Sequence, residues 1–138
     1  PALEREDAQV VRAMCEALIA DGQQTQARKL IEAQLDREWD SALVVLYAET
    51  DGSDVQVRIG RAEAWLRVHP GDAGLLLALG RLCRTQQLWG KAQSYLEASL
   101  GLKPEVDTHL ALAHLFDTLE RRADAQRHYR AAAERVAV

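Results

Sequence analysis

The chain has 138 residues, of which 48% are hydrophobic and 28% are charged, so it can fold around a core and is not a disordered segment. Its net charge of −4 argues against a nucleic-acid-binding protein, because duplex binding requires a dense positive surface. No apolar run approaches the roughly 20 residues that a membrane-spanning helix needs. We therefore expect a soluble, globular chain.

Apolar residues recur at helical spacing along the whole chain, and β-branched residues never form an alternating run, so we predict an all-α fold. Pairs such as Asp21-Gly22 and Lys103-Pro104 mark turns between the helical stretches. Together these signals predict eight helices that form four hairpins. The helices are expected at residues 3–20, 23–36, 40–49, 54–68, 73–86, 88–101, 105–119 and 121–137.

Three of the four predicted hairpins share one register of small residues. In the third hairpin Ala92 follows Gly80 by twelve positions, and Leu96 follows Ala92 by four. We expect the small residues to let the two helices approach closely and Leu96 to fill the gap towards the next hairpin. The same spacing recurs at Cys15, Ala27 and Ile31 and again at Ala113, Ala125 and Tyr129.

This register, with a closing Pro104, matches the tetratricopeptide repeat of ~34 residues. The second hairpin is degenerate, because Ala62 fits its second helix but Thr50 stands twelve positions earlier, where a small residue belongs. We predict that its first helix ends early, at a turn over residues 51–54. The sequence therefore predicts one tetratricopeptide-repeat superhelix over residues 1–138, an α-solenoid of about four hairpins.

Several segments resemble the carboxy-terminal repeat region of the HemY family, namely REWDSALVVLY, AEAWLRVHPGDAGLLLALGRLC and QLWGKAQSYLEASLGLKP. These are bacterial proteins associated with late haem biosynthesis and tethered to the inner membrane by amino-terminal helices. The resemblance implies partners among the enzymes that make protohaem IX. The residues that carry it most specifically are Trp39-Asp40, Trp65-Leu66, His69-Pro70 and Leu88-Trp89-Gly90-Lys91-Ala92.

The start of the chain bears on localisation. The chain begins at Pro1 without an initiator Met, so we expect a fragment of a longer protein. The resemblance implies that a membrane anchor precedes it. The two cysteines form no C-x-x-C pair and favour a reducing compartment, so we expect the cytoplasmic side of the membrane.

No constellation of residues predicts catalysis, so we expect no enzyme. His109 and His114 are five apart, about 140° around a helix, which prevents them from sharing a metal ion. Cys15 and Cys83 fall where the repeat requires small packing residues, and free cysteine packs as a small hydrophobe. The three tryptophans are interpreted as core residues. We predict no metal site and no cofactor, with haem ligation by His114 as the one alternative.

The first helix of each hairpin, which we call helix A, is expected to line a partner-binding groove. Groove positions lie three before, one after and four after the small residue of helix A. Arg81 and Arg84 could grip a carboxylate together, although solvation or pairing with acidic neighbours is an alternative role. The predicted groove residues are Arg12, Glu16 and Ile19, then Leu77, Arg81 and Arg84, then Leu110, His114 and Asp117.

The sequence favours a protein–protein interaction scaffold that supports late haem biosynthesis by binding partner enzymes. One alternative is a haem or porphyrin carrier that uses the same groove, with His114 as ligand and the arginine pair on the propionates. A second alternative is a self-assembly module, because the last helix is apolar for a terminal helix at Ala131–Ala133 and Val136–Val138.

Overall fold

Eight helices, and no strand, make up the part of the chain described by the computed structural model, which covers residues 2–50 and 54–137. Each predicted helix boundary agrees with the observed one to within one residue. The predicted turn falls largely on residues 51–53, outside the described residues. The helices are α1 Ala2–Ala20, α2 Gln24–Arg37, α3 Ser41–Glu49, α4 Val55–Val68, α5 Ala73–Thr85, α6 Trp89–Leu102, α7 Val106–Thr118 and α8 Arg122–Ala137.

The chain divides into two compact units, Pro1–Asp54 and Val55–Val138. In unit 1, α1 packs against α2 and both contact α3. In unit 2, α5 packs against α4 and α6, and α7 packs against α6 and α8. The division falls between α3 and α4, inside the predicted second hairpin, which is the hairpin whose sequence departs from the repeat. One continuous solenoid over the whole chain stays a prediction.

The predicted close approach within the third hairpin is confirmed. Gly80, Ala92 and Leu96 are all fully buried. A Cβ atom added to Gly80 would overlap the Leu96 side chain and lie 3.4 Å from the carbonyl oxygen of Ala92. The Ser99 hydroxyl, one turn further along α6, donates a 2.8 Å hydrogen bond to the carbonyl oxygen of Ala73. The helices α5 and α6 are therefore held together by the packing of Leu96 against Gly80 and by the hydrogen bond from Ser99 to Ala73.

The same register holds in the other two regular hairpins. Cys15, Ala27 and Ile31 have no exposed surface in unit 1. In the last hairpin Ala113 and Ala125 are likewise fully buried, whereas Tyr129 is half-buried. The small residues thus occupy the hairpin seam in each case, because only a small side chain lets the helix backbones come close.

A shared left-handed turn links helix A to the following helix in these three hairpins. The residue seven positions after the small residue has φ of 79° at Gly22, 60° at Gln87 and 59° at Glu120. Each of these turns has two backbone hydrogen bonds of the Schellman type. The N–H of the left-handed residue donates to the carbonyl oxygen three residues earlier, and the N–H of the residue after it donates to the carbonyl oxygen five residues before its own position. In the third hairpin these are Gln87 N to Arg84 O and Leu88 N to Cys83 O, both 2.9 Å.

Within the described residues, no helix combines the length and the apolar character that crossing a bilayer would require.

Candidate partner-binding face

Two A helices of unit 2, α5 and α7, carry most of the predicted groove residues. Arg81 and Arg84 stand three positions apart in α5, which places both on one side of the helix. Arg84 is exposed and Arg81 is half-buried. In α7, His114 and Asp117 are exposed and Leu110 is half-buried. This side of unit 2 therefore offers charged groups of both signs to solvent.

Two of these predicted residues, His114 and Asp117, contact Tyr129 of α8. The Tyr129 hydroxyl donates a 2.7 Å hydrogen bond to Oδ2 of Asp117. The His114 ring meets the Tyr129 ring edge-on, with 5.8 Å between ring centroids. The hydrogen bond to Asp117 raises the pKa of Tyr129, and the positive charge of Arg84 opposes that rise. We call Arg81, Arg84, His114, Asp117 and Tyr129 the α5–α7 face.

The sequence assigned Tyr129 only a packing role. Its register position holds Ile31 in the first hairpin and Leu96 in the third, and both of those side chains are fully buried. A tyrosine at a position otherwise held by aliphatic residues is a signal that the side chain needs a polar partner for its hydroxyl. That signal could have pointed to Asp117, which lies on the facing helix.

Leu77 occupies a different environment from the other predicted groove residues. Only 3% of its surface is exposed, because α5 is packed by α4, α6 and α7 together. Leu77 therefore stabilises the core and has little surface to offer a partner.

In unit 1 the predicted residue Arg12 already has an acidic partner. Its Nε atom lies 3.6 Å from Oδ2 of Asp40, the residue that caps α3 by accepting a 3.1 Å bond from the Ala42 N–H. Glu16 is exposed and Ile19 is half-buried on the same helix. A cavity of about 280 Å³ beside Arg12 is lined by Ala8, Gln9, Arg12, Gln34, Glu38, Trp39 and Asp40.

Neither cysteine is placed for chemistry. Cys15 and Cys83 are unpaired and fully buried, and burial raises the pKa of both thiols, which keeps them protonated and poorly nucleophilic.

The tryptophans Trp39, Trp65 and Trp89 are half-buried, so core packing accounts for only part of each side chain.

No group of three potential metal ligands occurs among the described residues. His109 instead meets His128 of α8, with 3.0 Å between the two Nδ1 atoms. Helical spacing separates His109 from His114, but the contact of His109 with α8 depends on how the two helices pack. Haem ligation by the exposed His114 stays a prediction.

Comparison with known proteins identifies the class of fold. No family model matches the sequence, and no curated protein matches it either. Among solved structures, MamA MSR-1 C2 aligns with a TM-score of 0.59 at 19% identity, over 91% of this chain and 74% of that chain. MamA AMB-1 C2221 aligns with a TM-score of 0.58 at 21% identity, over 91% of this chain and 76% of that chain.

MamA is a helical protein of the tetratricopeptide-repeat type. The likeness confirms the predicted fold class, which is all-α and of the tetratricopeptide-repeat type. The narrower assignment to the HemY family stays a prediction.

Proposed function

We propose that this chain is a protein-interaction scaffold and that a partner protein binds to the α5–α7 face of unit 2. The observation that carries the proposal is the contact of His114 and Asp117 of α7 with Tyr129 of α8, in the hairpin that follows the exposed Arg84 of α5. Tyrosine and arginine, both present on the α5–α7 face, are enriched at the centres of protein interfaces.

The chemistry of this face favours a partner segment that carries a carboxylate. Arg81 and Arg84 present guanidinium groups that can each bind a carboxylate in a bidentate manner. Asp117 holds the Tyr129 hydroxyl in place before any partner arrives. Little ordering entropy would then be lost on binding, and electrostatic attraction to an acidic segment would raise the association rate.

The identity of the partner is proposed from the sequence resemblance. The HemY-like segments favour enzymes of late haem biosynthesis as partners. They also favour a bacterial setting in which a preceding anchor holds this domain on the cytoplasmic side of the inner membrane. The charged face supports binding of a protein segment in general, and the resemblance alone supports this choice of partner.

The proposal is tested by affinity capture from solubilised bacterial membranes. The chain is compared with its Arg81→Glu/Arg84→Glu variant, and retained proteins are identified by mass spectrometry. A matched control, Lys29→Glu/Arg122→Glu, makes the same change of charge at two exposed positions on other helices. We expect late haem-biosynthesis enzymes to be retained by the unchanged chain and by the control, and lost by the arginine variant.

Each other outcome removes a defined part of the proposal. Equal retention by both variants would show that the partner binds elsewhere on the chain. Retention of proteins unrelated to haem synthesis, with the same loss in the arginine variant, would keep the binding face and exclude the haem assignment.

A further inference from the structure

His109 of α7 and His128 of α8 face each other inside the last hairpin. Their Nδ1 atoms are 3.0 Å apart, and their ring centroids are 5.3 Å apart. A hydrogen bond between two imidazoles requires one nitrogen to donate and the other to accept. Both Nδ1 atoms are therefore directed into the same small space between the two helices.

The repeat register shows that hairpin packing does not require histidine at these two positions. His109 lies four residues before Ala113, and His128 lies three residues after Ala125. The same two positions hold Val11 and Leu30 in the first hairpin, and Leu76 and Tyr95 in the third. Imidazoles cost more to bury than aliphatic side chains do, so the packing of the helices alone does not account for a facing pair of them.

The ring of His128 is held in place before any ligand arrives. Only 9% of His128 is exposed, and its ring stacks on that of Phe116 with 5.6 Å between centroids and 23° between planes. Burial lowers the pKa of both His109 and His128. At neutral pH both imidazoles are consequently uncharged, which is the form that binds a metal ion.

The distance between the two Nδ1 atoms is close to the spacing that one metal ion requires. Zn²⁺ binds histidine nitrogen at about 2.0–2.1 Å, which places two ligands of a tetrahedral ion about 3.3 Å apart. The Nδ1 atoms of His109 and His128 would need to separate by only about 0.3 Å. The donating ring would then carry its proton on Nε2 instead of Nδ1, so the pair loses no proton overall.

The charges that act on the two rings are balanced. Arg135 acts on His109 with a positive charge, as Arg127 does on His128. The negative charges of Asp124 and Glu97 act on His128. Two positive and two negative groups leave no net repulsion for a divalent cation. Because no group of three potential ligands occurs among the described residues, water would complete the coordination of the ion.

We propose that His109 and His128 form a two-histidine site for a divalent transition-metal ion, bound through both Nδ1 atoms. Imidazole nitrogen suits Zn²⁺, Ni²⁺ and Cu²⁺. The ion would bridge α7 and α8 and stabilise the folded chain by binding it in preference to the unfolded one. The site does not depend on the proposed partner, since His114 of the α5–α7 face lies about 140° from His109 around α7.

Nuclear magnetic resonance of the imidazole nitrogens tests the proposal on the unchanged chain. Zn²⁺ is titrated at pH 7 into the reduced chain labelled with ¹⁵N. We expect the Nδ1 signals of His109 and His128 to shift together and to saturate at one ion per chain, while those of His69 and His114 stay in place. The proposal is overturned if the pair does not shift up to about 1 mM Zn²⁺, the weak end of specific binding. It is also overturned if only one ring of the pair shifts.

Substitution of each ligand gives an independent measurement. His109→Gln and His128→Gln should each weaken Zn²⁺ binding in calorimetry by roughly tenfold or more, because even the loss of an outer-shell partner costs a metal site about 10–100-fold. His69→Gln, at a half-buried loop position, is the matched control and should bind as the unchanged chain does. Equal affinity in all four chains would overturn the proposal. If a variant fails to fold, the titration of the unchanged chain decides.

Discussion

Leu96 of α6 fills the space in which a side chain at Gly80 of α5 would lie. The two residues are sixteen positions apart in the sequence, and both are fully buried. A Cβ atom at Gly80 would overlap Cδ2 and Cγ of Leu96 and would lie 3.4 Å from the carbonyl oxygen of Ala92. This pair therefore sets how closely the two helices of the third hairpin approach each other.

Gly80→Ala should lower the free energy of unfolding of unit 2. Overpacking a well-packed core costs about 1–3 kcal/mol, whereas alanine gains about 1 kcal/mol over glycine in a helix. We expect a net loss of about 1 kcal/mol in urea unfolding. Gly60→Ala in α4, where nothing lies within 4 Å of an added Cβ, is the control and should be stabilising. Equal effects of the two substitutions would show that Leu96 moves aside without cost.

Replacing Gln87 or Glu120 by glycine should stabilise the chain. Both residues have positive φ, at the register position that glycine holds as Gly22 in the first hairpin. A left-handed conformation costs a non-glycine residue about 1–2 kcal/mol, so we expect each change to raise the free energy of unfolding by about 0.5–1 kcal/mol. Gly22→Ala should do the opposite. Thermal unfolding of the three variants measures this, and a destabilised Gln87→Gly variant would contradict it.

The contact between Glu63 of α4 and Tyr95 of α6 should stabilise unit 2 at neutral pH. Tyr95 donates a 2.6 Å hydrogen bond to Glu63 Oε2, and Lys91 donates one of 3.1 Å to the same atom. We expect Tyr95→Phe to cost about 1 kcal/mol in urea unfolding at pH 7, because the carboxylate is partly exposed. Ser94→Ala, at an exposed neighbouring position, is the control.

The loss of stability caused by Tyr95→Phe should depend on pH. The hydrogen bond from Tyr95 lowers the pKa of Glu63 below its ordinary value of 4.5. A lowered folded-state pKa gives stability that is present above pH 4.5 and is lost as the pH falls through the folded-state value. The difference between the unchanged chain and Tyr95→Phe should therefore shrink below pH 4.5. A difference that stays constant to pH 3 would show that the contact does not depend on the charge of Glu63.

The histidine pair should make the last hairpin less stable in acid. Burial lowers the pKa of His109, as does the positive charge of Arg135. Burial also lowers the pKa of His128, and His109 and Arg127 add to that effect against the opposing charges of Asp124 and Glu97. The unfolded chain consequently binds more protons than the folded chain once the pH falls below 6.5.

Stability should then decrease as the pH falls from 6.5 and level off below the folded-state pKa values. His109→Gln/His128→Gln should remove this slope, which urea unfolding between pH 8 and pH 5 measures. His69→Gln, at a half-buried position in a loop, is the control and should keep the slope. An unchanged slope in the double variant would place the acid sensitivity elsewhere.

The sequence predicted the helices and the hairpin seams because both depend on local patterns. Small residues such as Gly80 and Ala113 recur at fixed spacing, and the close approach of two helices requires them. The left-handed turns were visible only at Gly22, since Gln87 gives no sign of positive φ. The pattern also placed Leu77 on the groove, because helical spacing does not reveal that three other helices cover α5.

The side-chain pairs that define the α5–α7 face could not be predicted from spacing alone. Tyr129 and Asp117 belong to different helices, and their contact depends on how α8 packs against α7. The contact of His109 with His128 likewise depends on the packing of α7 against α8, and that of Arg12 with Asp40 depends on where the start of α3 lies against α1. Spacing within one helix determines which residues share a side, but it does not determine which residues of the next helix they meet.

Site-specific photo-crosslinking in cells that make this protein tests the central claim most directly, that a partner protein binds the α5–α7 face. A photo-reactive amino acid is placed at position 84 in one variant and, as the control, at position 57 on α4 in another. Both positions are exposed in unit 2. We predict that position 84 crosslinks to a distinct partner protein and that position 57 does not. Crosslinking from position 57 alone, or from neither position, would contradict the claim.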